Sequence, residues 1–376
     1  MPHSSDIAPY TDHDVRPVLD RLVHDRDFID AVGRLRMKGW YSVLKPLVRP
    51  RIRRALQRHA AQIHSIREFQ EAVEPALARI MQKTTETFTV SGLDQLDPKR
   101  AYLFLSNHRD IAMDPAFVNW ALYNGGFDTV RIAIGDNLVK RAFVGDLMRL
   151  NKSFIVKRNV SGPREMLKTY SNLSNYVRMS IDEGQSVWMA HREGRAKDGI
   201  DRTDPAILKM LAMAGKSRDE SFQAALTNLH LVPVSISYEF DPCAGFKARE
   251  LSITERDGSY IKEPGEDVKS IAAGIMGWKG RVHLHFGAAM TALPDDATAL
   301  ASRIDHEIIM GQRVFDTGRL ANTMLLGEPT EAELLPDVTQ RFQRLVNNTP
   351  KAYRQKLLEI YANPLRQLTL HQEREL

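Results

Sequence analysis

Between Tyr102 and Phe286 short apolar runs alternate with longer helical stretches, and this alternation constrains the fold more than any other feature of the chain. The runs are Tyr102–Ser106, Val130–Ile134, Phe154–Val156, Val187–Ala190, Val232–Ser237 and Val282–Phe286. Each is rich in β-branched or aromatic residues and bounded by polar or turn residues, as strands are. Helical stretches fall between them at Pro115–Tyr123, Leu138–Leu150, Glu165–Glu183, Ile207–Ala214 and Phe222–Leu229. Strands separated by helices predict an α/β fold with a layered, mostly parallel sheet flanked by helices. Pro233 lies near the start of its run, where a missing N–H is tolerated.

The flanks read differently. Val15 to Ile29 and Ile66 to Lys83 have helical potential, and the tail beyond Asp296 is mostly helical, with breaks near Gly327–Pro329 and Asn347–Pro350. A chain of 376 residues accommodates one enlarged domain or two. The expected organisation is a helical N-terminal region over 1–84, an α/β domain over 85–292 and a helical C-terminal extension over 293–376.

Charge is concentrated. The net value is only +5, from 52 basic and 47 acidic residues. Yet from Arg34 to Arg58 the chain carries Arg34, Arg36, Lys38, Lys45, Arg49, Arg51, Arg53, Arg54 and Arg58, with no acidic residue. Trp40, Tyr41 and a series of Leu, Val and Ile residues are interleaved with them. A basic amphipathic arm with interfacial aromatics fits an anionic membrane surface; a helical arm packed on the protein fits as well. Pro46 and Pro50 are expected to split it into two short helices. No nucleic-acid recognition module accompanies it, so nucleic acid is not an expected partner. Cys243 is the single cysteine, which excludes an intrachain disulfide and a Cys-based zinc site. Met1–Tyr10 has neither the basic start nor the apolar core of a signal peptide, and no window offers a spanning helix. The expected location is cytoplasmic, peripheral on the inner face of the membrane.

Four segments carry chemistry. Ser106-Asn107-His108-Arg109-Asp110-Ile111-Ala112-Met113-Asp114-Pro115 places a histidine between a strand and a helix, with Asp114 as the expected N-cap and Pro115 at the first helical position. Ends of parallel strands are where ligands bind, and a histidine held by a carboxylate is suited to general-base catalysis. Asp114 and Asp110 are both candidate partners; read alone, the segment also fits a structural histidine and a helix cap. The second segment is His191-Arg192-Glu193-Gly194-Arg195-Ala196-Lys197-Asp198-Gly199, whose glycines and cations suit a phosphate and equally a solvated loop. The third is Phe154 to Arg158, a short strand ending in Lys157 and Arg158, and the fourth is Val232-Pro233-Val234. His283 and His285 alternate on a strand with no third ligand evident, so packing rather than a metal is expected.

These four blocks, in this order, resemble the glycerophospholipid acyltransferase superfamily over about residues 85–290. Arg109 after the histidine, with Asp-Pro closing the block, resembles the glycerol-3-phosphate branch more than the lysophosphatidate branch. Two departures stand out. Five residues, not four, separate His108 from Asp114, and Arg195 follows Gly194 directly, where many members have a residue between.

The resemblance implies an acyltransferase moving a fatty acyl group from an acyl thioester, acyl-CoA or acyl carrier protein, to glycerol-3-phosphate or 1-acylglycerol-3-phosphate. It implies His108 as base with Asp114 orienting it, and Arg109, Lys157, Arg158, Glu193, Gly194, Arg195 and Lys197 as substrate-binding. No metal or redox cofactor is implied. A non-catalytic lipid-surface protein of the same fold and a thioester hydrolase are the alternatives; retention of Arg158, Glu193 and Arg195 argues against both.

Overall fold

The computed structural model describes residues 7–37, 40–158, 160–328 and 334–373, without the side chains of Leu35 and Arg36. Six N-terminal residues, Lys38 of the basic arm, Asn159 and Pro329 lie outside them. Two compact units form, one from residues 1–78 and 131–169, the other from 79–130 and 170–376.

In the smaller unit, α1 (Asp12–Leu22), α2 (Arg26–Met37), α3 (Tyr41–Ala60) and the start of α4 (Ile66–Thr84) accompany a parallel pair, β3 (Arg131–Gly135) and β4 (Ser153–Val156). Between those strands lies α6 (Ala142–Leu150). Val15, Val18, Leu19 and Leu22 recur at helical spacing along α1 and pack with Ala60, Ile63, Phe69 and Leu150. The stretch from Val15 to Ile29 is two helices rather than one. The basic arm departs in the opposite sense, because α3 runs unbroken through Pro46 and Pro50. Each proline removes one backbone hydrogen bond, and anchoring to α2 compensates. The carboxylate of Asp30 accepts from the Tyr41 hydroxyl (2.7 Å) and from Arg49 Nε and Nη2 (2.6 and 2.7 Å). Lys45 Nζ lies 2.6 Å from it. One acid on α2 thus answers three side chains of an arm that has none of its own.

In the larger unit the strand order is β1 (Thr87–Ser91), β7 (Arg281–Phe286), β6 (Leu231–Tyr238), β2 (Leu103–Ser106), β5 (Val187–Ala190). All these pairings are parallel except β6 with β7, so the chain has the expected α/β class with seven mostly parallel strands among the described residues. Leu103, Phe104, Leu105 and Ser106 are all buried, as a strand covered on both faces requires. In β7 burial alternates, with Val282, Leu284 and Phe286 inward. Pro233 pairs with Leu105, and the antiparallel ladder to β7 begins only at Val234, so the ladder to β7 asks no N–H of it.

Helices α5 (Met113–Asn124), the end of α7 (Pro163–Asp182), α8 (Pro205–Leu211) and α9 (Phe222–Thr227) follow the alternation. Strand β1 and helices α10 (Ala244–Asp257) and α11 (Glu266–Met276) were not among the expected elements. The tail forms α12 (Ala297–Met310), α13 (Asp316–Leu326), α14 (Pro336–Asn348) and α15 (Lys351–Glu373), with a further break at 311–315. His283 and His285 face β1, where Thr89 Oγ1 lies 2.7 Å from His283 Nδ1 and Ser91 Oγ 2.8 Å from His285 Nδ1. No metal-binding group of three or more His, Cys, Asp or Glu occurs among the described residues.

The Asp30 cluster yields a prediction. Its cations, Arg49 first, hold the Asp30 carboxyl below its ordinary value of 3.8 against the cost of burial. A depressed folded value means stability present above the unfolded pKa and lost as pH falls through the folded one. Asp30→Asn therefore lowers the urea midpoint at neutral pH, and the gap to wild type narrows as the pH is lowered below about 4. A gap that stays constant on acidification would contradict this origin.

Candidate active site

Strands β2 and β5 are parallel neighbours, with Ser106 opposite Ala190, so the residues after them leave the same end of the sheet. Those residues are His108 and the Gly194 loop. Ala196 N–H donates to the His108 carbonyl at 2.8 Å, joining the two loops directly. Gly194 has φ +75° and a β-carbon there would meet only open space, so conformation rather than room calls for glycine.

The imidazole of His108 meets Asp114, with Nδ1 2.8 Å from Oδ2. The same carboxylate oxygen accepts Arg109 N–H at 2.5 Å and Asp110 N–H at 2.9 Å, and Oδ1 accepts the Tyr238 hydroxyl at 2.7 Å. Asp114 is wholly buried, and burial alone would raise its pKa. The bonds from His108, Tyr238 and the backbone outweigh burial and hold the carboxyl below its ordinary value. Trp188 packs edge-on against the imidazole with ring centroids 5.6 Å apart.

Asp110, the rival partner, points elsewhere. Its carboxylate accepts Ala112 N–H (3.0 Å) and Met113 N–H (2.8 Å) at the start of α5. The expected cap geometry is corrected accordingly: α5 begins at Met113, and Asp114, already inside the first turn, reaches back toward His108. This is how the turn accommodates its extra residue. Burial, with Asp114 nearby, pushes the Asp110 carboxyl up. Gly274 of α11 makes room for it, since a β-carbon there would collide with Asp110 Oδ2.

The expected substrate-binding cations sort into three groups. Arg109 Nη2 donates to buried Asp201 at 2.6 Å, and Lys197 Nζ is ion-paired with Glu250, so both charges are answered within the protein. Arg195 differs in making no ion pair among the described residues; its Nη1, like that of Arg109, is buried without a hydrogen-bond partner. Lys157 and Arg158 follow β4 in the smaller unit, where the Arg158 guanidinium lies over Gly135, in the space a β-carbon would take. Glu193 is exposed in the turn before Gly194. A cavity of about 60 Å³ is lined by Arg109, Ser237, Tyr238, Gln312 and Tyr361 among others, and neither His108 nor Asp114 lines it.

Tyr238 was missed from sequence. It ends the strand that carries Val232-Pro233-Val234, and only the pairing of β6 with β2 brings its hydroxyl to Asp114. Burial, then Asp114, pushes its phenol well above 10, so it remains a donor.

An acid held below its usual range, a histidine bound to it and a loop with an unpaired guanidinium make a site able to deprotonate a hydroxyl beside an anionic group. Part of the sequence is similar to known proteins. Residues 87–237 match the family model described as Acyltransferase. Over 233 residues, 61% of this chain, the sequence is 22% identical to the dihydroxyacetone phosphate acyltransferase of Bos taurus. That match takes in 32% of the relative, so the chain spans about a third of its length. The solved 1-acyl-sn-glycerophosphate (LPA) acyltransferase PlsC of Thermotoga maritima covers 79% of this chain and 94% of that chain, at 13% identity and a TM-score of 0.36. Over residues 87–237 the chain is thus similar to acyltransferases.

The two aspartates are expected to respond oppositely to neutralisation. A raised folded pKa means that ionised Asp110 opposes folding at neutral pH, whereas a depressed one means that ionised Asp114 supports it. Asp110→Asn should hold or raise the unfolding free energy at pH 7. Asp114→Asn should lower it by about 2 kcal/mol, the scale of a charged buried hydrogen bond. Urea denaturation of both variants measures the order.

Proposed function

We propose that the protein transfers a fatty acyl group from an acyl thioester to the hydroxyl of a glycerol-phosphate-type acceptor, with His108 as general base. The observation that carries this reading is the 2.8 Å contact between His108 Nδ1 and Asp114, beside the loop of Arg195. With Nδ1–H held by the carboxylate, Nε2 is the nitrogen left to take a proton. It accepts the acceptor's hydroxyl proton as that oxygen attacks the thioester carbonyl. The tetrahedral intermediate then collapses, the carbon–sulfur bond breaks, and the leaving thiolate takes the proton back from the imidazolium. Asp114 stabilises the cation in between. Neither metal nor redox cofactor is needed for these steps.

Arg195 is the favoured ligand for the acceptor phosphate, because its guanidinium, unlike the charges of Arg109 and Lys197, is in no ion pair among the described residues. Glu193 is proposed to join it; Arg109 and Lys197 act through the ion pairs they already make. Acceptors to compare are glycerol-3-phosphate, 1-acylglycerol-3-phosphate and dihydroxyacetone phosphate, with acyl-CoA or acyl carrier protein as donor carrier. His108→Ala should cut acyl transfer by about 10²–10⁴-fold. Thioester consumption that needs no acceptor would instead favour a hydrolase, and silence with every acceptor would favour a binding protein.

An anionic membrane surface is the proposed partner of α3. Trp40, Val43 and Leu47 are 73%, 75% and 65% exposed and share one face by their spacing. Exposed Arg51, Arg54 and Arg58 continue that face toward the C-terminus of the helix. Apolar insertion followed by cations suits the cytoplasmic leaflet. No described helix is long and apolar enough to cross a membrane. Leu47→Asp should weaken sedimentation with phosphatidylglycerol vesicles at least about 10-fold, and added salt should weaken the wild type. Equal binding to phosphatidylcholine vesicles would contradict the electrostatic part.

A further inference from the structure

We infer that the C-terminal extension is part of the machinery around His108, with Asp201 as the positioning residue through which Gln312 and Gln367 hold the histidine turn and the Gly194 loop in place. The family match ends at 237, so both glutamines lie outside it.

Asp201 is fully buried. Its Oδ2 accepts Asn107 Nδ2 (3.0 Å), Arg109 Nη2 (2.6 Å) and Gln312 Nε2 (2.6 Å). Asn107 and Arg109 are the residues on either side of His108. Asn107 is further fixed across the sheet, since its Oδ1 accepts Ile236 N–H at 2.8 Å and its Nδ2 donates to the Ile236 carbonyl at 3.2 Å. One carboxylate oxygen therefore grips both neighbours of the histidine, and a residue from the loop between α12 and α13 adds a third donor to it.

The backbone of Asp201 is held from α15. Gln367 Oε1 accepts Asp201 N–H at 2.7 Å, and Gln367 Nε2 donates to the Asp201 carbonyl at 3.0 Å, so one amide side chain satisfies both backbone groups. One helical turn earlier, Asn363 Nδ2 donates to the Asp198 carbonyl at 2.8 Å. Between these two points Gly199, with φ +78°, presses onto α15 so closely that a β-carbon would collide with the Ile360 carbonyl. Pro364 withholds the N–H that would otherwise bond that carbonyl within the helix. The sequence of α15 thus presents a donor-poor turn where the loop docks. Three successive contacts thus join α15 to the segment that continues the Gly194 loop.

This inference rests on the acyltransferase reading for its kinetic consequence, though not for its geometry. Gln367 and Asn363 are half-buried, and their truncation in the full chain leaves the core intact. Gln367→Ala and Asn363→Ala should each reduce kcat/KM for the phosphate-bearing acceptor about 10-fold or more, since small misplacements of catalytic groups carry such losses. The control is Arg366→Ala, which removes the 2.8 Å bond from Arg366 Nε to Asn322 and so loosens α15 without touching the Asp201 segment. Matching losses of thermal stability in all three variants, with kinetics unchanged below the transition, would overturn the inference. A second readout needs no activity: the low-field Nδ1–H signal of His108 in ¹⁵N-histidine-labelled protein, assigned by its disappearance in His108→Ala. It should shift or broaden in Gln367→Ala and stay put in Arg366→Ala. If wild type acylates no acceptor, the functional reading fails while this signal still decides the positioning claim, and an unmoved signal overturns it.

Discussion

A buried carboxylate with all its acceptor capacity in use is what the rest of the site depends on. Asp114 lies inside the first turn of α5, out of contact with solvent, where an unsatisfied charge would cost several kcal/mol. It is tolerated because His108, Tyr238 and two backbone N–H groups converge on its two oxygens. Those donors come from the histidine turn and from β6, so forming this one ionised group aligns both elements. The imidazole is oriented as a by-product of satisfying the acid.

The same economy recurs one layer deeper. Arg109 and Asp201 are a buried ion pair, and a pair of that kind is weak evidence for stability but a strong constraint on arrangement. Around it lies His191, fully buried with Thr203 3.3 Å from its Nδ1, whose imidazole burial pushes down to about 4. Burial pushes Asp305, on the far side of that ring, up to about 6. The cluster therefore packs a histidine whose charged form burial disfavours against the Arg109–Asp201 pair beside the histidine turn. In the smaller unit Asp30 plays a comparable part for α3, gathering Tyr41, Lys45 and Arg49 on one side and leaving Trp40, Val43 and Leu47 facing out.

Much of this was legible in the chain alone, for definite reasons. Periodicity and composition are local, so the alternation from Tyr102 to Phe286 disclosed the α/β class and six of the strands. Strand β1 escaped because Thr87–Ser91 is five residues of mixed threonine and apolar side chains directly after a helix. The prolines of α3 misled in the other direction, since the compensation for their lost hydrogen bonds comes from Asp30, a residue on another helix. In the site, His108, its two acidic candidates and the cations of the Gly194 loop were all visible as residue types at telling spacings.

Which of those candidates touch was beyond the sequence. Spacing could not choose between Asp110 and Asp114, because the choice turns on where α5 begins, and that is settled by Asp110 taking the first N–H groups of the helix. Neither could it separate Arg195 from Arg109 and Lys197, whose charges are answered by Asp201 and Glu250. Tyr238, Gln312 and Gln367 lie 124, 111 and 166 positions from the residues they bind. Local chemistry, carried by side chains close in sequence, was determined by the chain itself; the pairing of buried polar groups was decided only when the sheet and the C-terminal helices brought distant donors to carboxylates that could not remain unsatisfied.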